Sequence, residues 1–218
     1  MSATAAAHAP HATAEMNHRI ANNLTLLASM IELDGRAVID PDAISVLETA
    51  RRRIHAIANV HRRLYMINKT DRLNLGEFLG DLAEDFRNVC ESGAHDRHLI
   101  FQANSVWVSA EEAVVVGILV AELVSNACKH AYHVGEPGDI RILLSAAAPG
   151  EWTLMVEDDG HGFDPASAFA RQGLGSRLIA AAVTRLSARY AWEDTRPGTR
   201  FTLWKCSGAM ATVVAVDS

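Results

Sequence analysis

Two runs of apolar residues with helical spacing, set about five residues apart, constrain this chain more than any other feature. In residues 13–34, Met16, Ile20, Leu24, Leu27 and Ile31 recur at spacings of four and three, which places them on one stripe of a helix. Gly35 marks a stop and the segment RAVID supplies a turn. Asp40 then reads as an N-cap, with Pro41 at the first position of a second helix. The stripe of that helix is Ile44, Leu47, Ile54, Ile57, His61 and Leu64, running to about Ile67. Two long helices with so short a connection make an antiparallel hairpin. A hairpin cannot bury its stripe alone, and pairing two copies into a four-helix bundle is the common solution. The expectation is a homodimer through residues 13–67. The alternative is that the hairpin packs against the rest of its own chain.

Outside the hairpin, residues 1–12 are small and polar and read as a disordered N-terminus, and residues 68–74 read as a hinge. A second domain is expected over residues 75–206, followed by a tail, 207–218, without a clear role. In that domain Leu75–Ser92 is helical in pattern. His98–Ala103 and Val106–Val108 look like strands around a turn at Asn104–Ser105. Ser109 and Glu112 form a capping box that opens a long helix to about Tyr132. Strands follow at Asp139–Ala146 and Trp152–Glu157, then a helix from Gly175 to about Ser187, then strands near Arg189–Trp192 and Thr199–Lys205. Strands interleaved with helices, mostly on one face of one sheet, give an α+β sandwich.

The bulk properties of the 218 residues exclude several classes. A net charge of −6 leaves no footprint for nucleic acid. The most apolar stretch, Ala113–Val124, is broken by Glu122 and falls short of a membrane span, so no membrane insertion is expected. No signal peptide is read, and Cys90, Cys128 and Cys206 are odd in number and scattered. They read as reduced thiols of a cytoplasmic protein rather than as a disulfide framework or a metal site.

Chemistry concentrates in a few short segments. On the long helix Glu122 and Asn126 stand at i and i+4, with Lys129 and His130 one turn on. Two readings fit this face. One is a solvated polar surface. The other is a site where an amide oxygen and a cation serve a phosphate-bridging Mg²⁺, an ion that prefers oxygen ligands and keeps several waters, with Glu122 ordering one of them. DDGHG at 158–162 follows a strand, so Asp158 can accept from the exocyclic amine of a base while Gly160 and Gly162 allow close approach; an Asp-Gly turn is also simply a turn. Gly173 and Gly175 flank Leu174 ahead of a helix, and a glycine-rich approach to a helix N-terminus favours anions. The segment Phe163–Gln172 reads as a lid over a nucleotide.

Taken together, these segments are similar to the GHKL ATPase superfamily. ELVSNACKHAY resembles its N-box, DDGHG its G1 box, GLG its G2 box and GTRF its G3 region, over about residues 75–205. The resemblance implies a Bergerat α/β sandwich that binds ATP. By it Asn126 is the metal residue, Asp158 contacts adenine, Gly173 and Gly175 line the phosphates, and Thr199 lies near Asp158.

That fold serves several activities, so the hairpin has to name the reaction. EMNHRIANNL resembles the acceptor box of the HWE-type histidine kinases, and RIHAIANVHRRLY resembles their second helix. The resemblance implies His18 as phosphoacceptor. His18 falls beside the apolar stripe, and free imidazole, with a pKa of about 6.5, is mostly neutral and nucleophilic at neutral pH. Glu15, one turn earlier, could orient the ring or take its proton. Asn22, one turn later, either covers a polar face or orients a water for a reverse, phosphatase reaction. Arg19 stands where many histidine kinases carry an acid.

The resulting expectation is an α+β chain: a helical hairpin dimerising as a four-helix bundle, followed by a GHKL ATP-binding domain. It would act as an ATP- and Mg²⁺-dependent protein histidine kinase of a two-component system. It would pass phosphate from His18 to the aspartate of a response-regulator receiver domain, with a separate sensor protein as one source of input. The rival expectations are a histidine phosphotransferase or phosphatase with a vestigial nucleotide domain, and a non-catalytic adaptor that binds partners.

Overall fold

The computed structural model describes residues 9–40, nine positions between 43 and 58, and residues 72–90, 97–162 and 174–206; for 9–19, 88, 89, 174 and 175 it describes backbone alone. The expectations for His61, Leu64, the lid Phe163–Gln172, Gly173 and the tail lie outside these residues. The chain divides into two compact units, Met1–Asp71 and Arg72–Ser218, with the boundary inside the expected hinge.

In the first unit helix α1 spans Ala9–Gly35. It begins before residue 13, so part of the segment expected to be disordered is helical. Alanines at 9, 12 and 14 are strong helix formers, and Pro10 is tolerated in a first turn. Ala21 and Ala28 are fully buried and Leu24 and Ile31 half-buried. Ile31 and Gly35 line one cleft together with Ile44, Leu47 and Arg51 of the following helical segment, which is the expected hairpin contact. Leu27, placed on that stripe by spacing, is 49% exposed; with Leu26, Met30 and Leu33 it forms a second apolar strip facing away.

The second unit holds two sheets. Strand β1 (Arg72–Asn74) pairs antiparallel with β3 (Trp107–Ser109). Part of the expected hinge is therefore structured, because Leu73 buries opposite Val108. The main sheet has five strands: β2 (Arg97–Ala103), β4 (Gly138–Ala148), β5 (Glu151–Asp158), β6 (Ala188–Asp194) and β7 (Thr199–Lys205). Their spatial order is β2-β4-β5-β7-β6, with β2 and β4 parallel and every other pair antiparallel. The strands expected on either side of Asn104–Ser105 form but do not pair with each other: β2 pairs with β4 and β3 with β1. Adjacency in sequence gave no warning, since the parallel partner arrives only after a long helical crossover.

Among the described residues the helices of this unit are α2 (Leu75–Cys90), α3 (Ala110–His130) and α4 (Leu174–Leu186). The capping box forms: Ser109 Oγ accepts from the Glu112 amide at 3.2 Å, and Glu112 Oε2 accepts from the Ser109 amide at 3.0 Å. Strand β5 alternates strictly, with Trp152, Leu154, Val156 and Asp158 buried. They share the core with Ile140, Ile142, Leu144, Phe201 and Leu203 from the sheet and with Val116, Leu119, Val120 and Leu123 from α3. The opposite face of the same strands carries a charged row in register, Arg141, Glu157, Arg200 and Glu193. Glu157 accepts from Arg141 at 3.0 Å and also from Arg200.

One reading of the cysteines is overturned. Cys90 and Cys128 are bonded as a disulfide joining the last residue of α2 to α3, and Cys206 is free. Thirty-eight residues separate the partners, and two helices packed side by side bring them together, which spacing alone could not reveal.

Candidate functional site

The site is built where β5 runs out. Alternation along that strand puts Asp158 on the core side, and its carboxylate accepts the Gly160 amide at 3.1 Å and the backbone N–H of Thr199, its partner across β7. Burial raises the Asp158 pKa, and these two donors oppose the shift. Two N–H bonds leave an ionised carboxylate with about two acceptor positions free. Gly198, with φ +100°, approaches so closely that a Cβ there would lie 1.9 Å from the Asp158 carbonyl oxygen. Gly162, with φ +73°, faces the Gly198 carbonyl. The expected neighbourhood of Asp158, Gly160, Gly162 and Thr199 is therefore assembled.

The second wall is the C-terminal part of α3. Asn126 is exposed, Lys129 half-buried and His130 exposed, while Glu122 is buried at 6% exposure. The solvated-face reading thus fails for Glu122. It falls within a run of buried residues from Leu119 to Val124, where a carboxylate is costly unless engaged. Glu122, Lys129 and His130 are each engaged in an interaction within the fold.

The two walls are joined by the turn after α3. The Ala131 carbonyl accepts the His161 amide at 2.8 Å, and the rings of His133 and His161 stack with centroids 5.3 Å apart. Tyr132 is buried; its hydroxyl accepts the Asp159 amide at 2.9 Å and donates to the Asp139 carbonyl at 2.5 Å. Gly138 leaves room for that ring, since a Cβ there would come within 2.1 Å of it. Arg97, 1% exposed, places its guanidinium 4.5 Å from the Tyr132 ring centroid and donates to the His133 carbonyl at 3.0 Å. Sequence reasoning missed Arg97 and Gly138, and it included Ala131 and Tyr132 in the segment ELVSNACKHAY without assigning either a role. Tyr132 was visible as a helix end and as the last residue of that segment, and nothing in its spacing marks a hydroxyl that bridges two backbone segments.

Leu174 and Gly175 open α4 as expected. In the first unit Glu15, His18 and Asn22 all lie in α1, and helical spacing aligns 18 with Asn22, Thr25 and Ser29; Asn22 is exposed. Among the described residues no cluster of three or more His, Cys, Asp or Glu could hold a metal, and no helix is long and apolar enough to cross a membrane. An exposed amide on Asn126 is an oxygen donor of the kind Mg²⁺ accepts, so the residues fit an ion held jointly with phosphates rather than in a protein cage.

Comparison with known proteins agrees with this geometry. A family described as "Histidine kinase-like ATPase domain" matches residues 88–203, and one described as "Histidine kinase" matches residues 15–90. The chain is 29% identical over 191 residues to blue-light-activated histidine kinase 2 of Erythrobacter litoralis, covering 85% of this chain and 54% of that protein. It is 28% identical over 174 residues to the sensor histidine kinase PdtaS of Mycolicibacterium smegmatis, covering 78% of this chain and 34% of that protein. The chain thus spans about half, or less, of the length of these curated relatives. The solved histidine kinase domain of a blue-light activated histidine kinase from Erythrobacter litoralis superposes with a TM-score of 0.67 at 22% identity, covering 88% of this chain and 93% of that one; this likeness concerns the fold.

Proposed function

The chain belongs to the histidine kinase-like ATPase domain family, and from that premise we propose that it is an ATP-dependent protein histidine kinase of a two-component system, autophosphorylating on His18. The observation that carries the reading is the buried Asp158, held by the Gly160 and Thr199 amides beside a helix that ends in Asn126, Lys129 and His130. In this reading Asp158 accepts the adenine amine, and Gly160, Gly162 and Thr199 shape the surface against which the base lies. Gly173, Leu174 and Gly175 present backbone N–H groups to the phosphates, and Lys129 and His130 offset their charge. Asn126 holds Mg²⁺, which when bound supplies charge neutralisation on the triphosphate. Glu122, one turn before Asn126, would order a metal-bound water.

His18 is the nucleophile. A bond forms between an imidazole nitrogen and the γ-phosphorus, the bond from that phosphorus to the β,γ-bridging oxygen breaks, and ADP leaves. Glu15 orients the ring or takes its proton. The phosphoryl group then passes to an aspartate of a response-regulator receiver domain, in the cytoplasm. The kinase acts as a homodimer through residues 13–67, supported by the outward strip of Leu26, Leu27, Met30 and Leu33. Asn22, one turn beyond His18, would be the residue to orient a water in a reverse phosphatase step.

Incubation with γ-labelled ATP and Mg²⁺ tests the proposal. An acid-labile, base-stable label that disappears in His18→Ala is expected. ATP binding without label would favour a non-catalytic adaptor, and phosphate accepted from a phosphorylated regulator without ATP binding would favour a phosphotransferase.

A further inference from the structure

Tyr132 is the last residue of the N-box-like segment ELVSNACKHAY and carries no role in the nucleotide reading above, yet its side chain ties three parts of the site together. Its hydroxyl accepts the amide of Asp159, the residue that follows the base-reading Asp158, and donates to the carbonyl of Asp139 near the start of β4. Its own backbone lies two residues past the end of α3, the helix that carries Asn126. The surroundings hold the ring still. Gly138 has no side chain because the ring lies against it, and Arg97 covers the ring with a fully buried guanidinium. Among the described residues, Nε and Nη1 of Arg97 make no hydrogen bond. That cation is committed to the aromatic face and to the His133 carbonyl. A buried charge is costly, so its placement over Tyr132 marks the ring as a point the fold keeps in place.

We infer that Tyr132 is a positioning residue for nucleotide selection: its hydroxyl fixes the Asp158–Gly160 turn against the end of α3, and so sets the angle at which Asp158 meets the base. The inference rests on the nucleotide-binding reading above and adds a residue to it. The hydroxyl touches no ligand; it acts through the Asp159 amide, one peptide away from the carboxylate. Without that acceptor the turn would still have the Ala131 carbonyl bond to His161 and the Asp158 bond to Gly160, so it would remain formed but less well aimed.

The test compares ATP with inosine triphosphate, which has a carbonyl where adenine carries its amine, by calorimetry on the full chain with Mg²⁺. Wild type is expected to prefer ATP. Tyr132→Phe keeps the ring under Arg97 and is expected to lose about three- to tenfold of that preference, the range of one hydrogen bond's net worth. An equal fall in both affinities, with the preference intact, would make Tyr132 merely structural and overturn the inference while leaving ATP binding in place. Wild type that binds neither nucleotide would overturn the nucleotide reading and the inference with it. Hydrogen exchange on nucleotide-free wild type gives a readout independent of any variant. The Asp159 amide is expected to be protected although its residue is exposed, and exchange at the free-peptide rate would remove the bond on which the inference stands.

Discussion

Gly160 lies directly against Ala131. A Cβ at position 160 would fall 1.9 Å from the Ala131 carbonyl oxygen, and the same oxygen accepts the His161 amide at 2.8 Å. The second residue of the DGHG turn is thus pressed onto the backbone that ends α3, and neither partner can yield without breaking that bond.

Gly160→Ala is therefore expected to open this seam. Overpacking against backbone costs about 1–3 kcal/mol, and the loss should appear in urea denaturation together with weakened ATP binding. A variant of unchanged stability and affinity would mean that the turn is free to move away from α3.

Asp158 should make stability fall as pH rises. Its folded pKa lies above the ordinary carboxylate value because of burial, so over the window between the two values the native state binds more protons than the unfolded chain. Stability is then highest below that window, declines through it and is level above it. Asp158→Asn removes this slope. The same variant is expected to lose ATP binding, since the amide cannot replace an ionised acceptor, while dimerisation stays intact. Urea denaturation across a pH series and calorimetry check both effects; unchanged ATP affinity would defeat the adenine assignment.

The disulfide between Cys90 and Cys128 links α2 to α3 across 38 residues of sequence within the second unit. Cys90→Ser is expected to destabilise that unit by about 2–4 kcal/mol, and a reductant should lower wild-type stability toward the variant's and leave the variant unmoved. Three free thiols titrated in the unfolded, non-reduced protein would show that the bond does not form.

The outward strip on α1 predicts self-association. Met30 is 52% exposed between Leu26 and Leu33, and Met30→Glu would place an unpaired carboxylate in the dimer seam, at a cost of several kcal/mol. Light scattering should show a dimeric wild type and a variant whose self-association is weakened by about two orders of magnitude. A monomeric wild type would refute the bundle.

What could be read from residue order alone was whatever depends on near neighbours. The Ser109–Glu112 box, the alternation of β5 ending on Asp158, and the GLG segment at the start of α4 are local signals, each contained within a few residues, and the GHKL resemblance joined them into one site. Tertiary structure decided the rest, because those features depend on residues far apart in the chain. The parallel pairing of β2 with β4 requires the crossover through α3. The burial of Glu122 depends on which side of that helix meets the sheet. The bond between Cys90 and Cys128, and the bridge from Tyr132 to Asp159 and Asp139, exist only because separate elements converge on the same few ångströms. Periodicity states which face of an element is apolar; the identity of what packs against it is fixed by the long-range contacts of the whole domain.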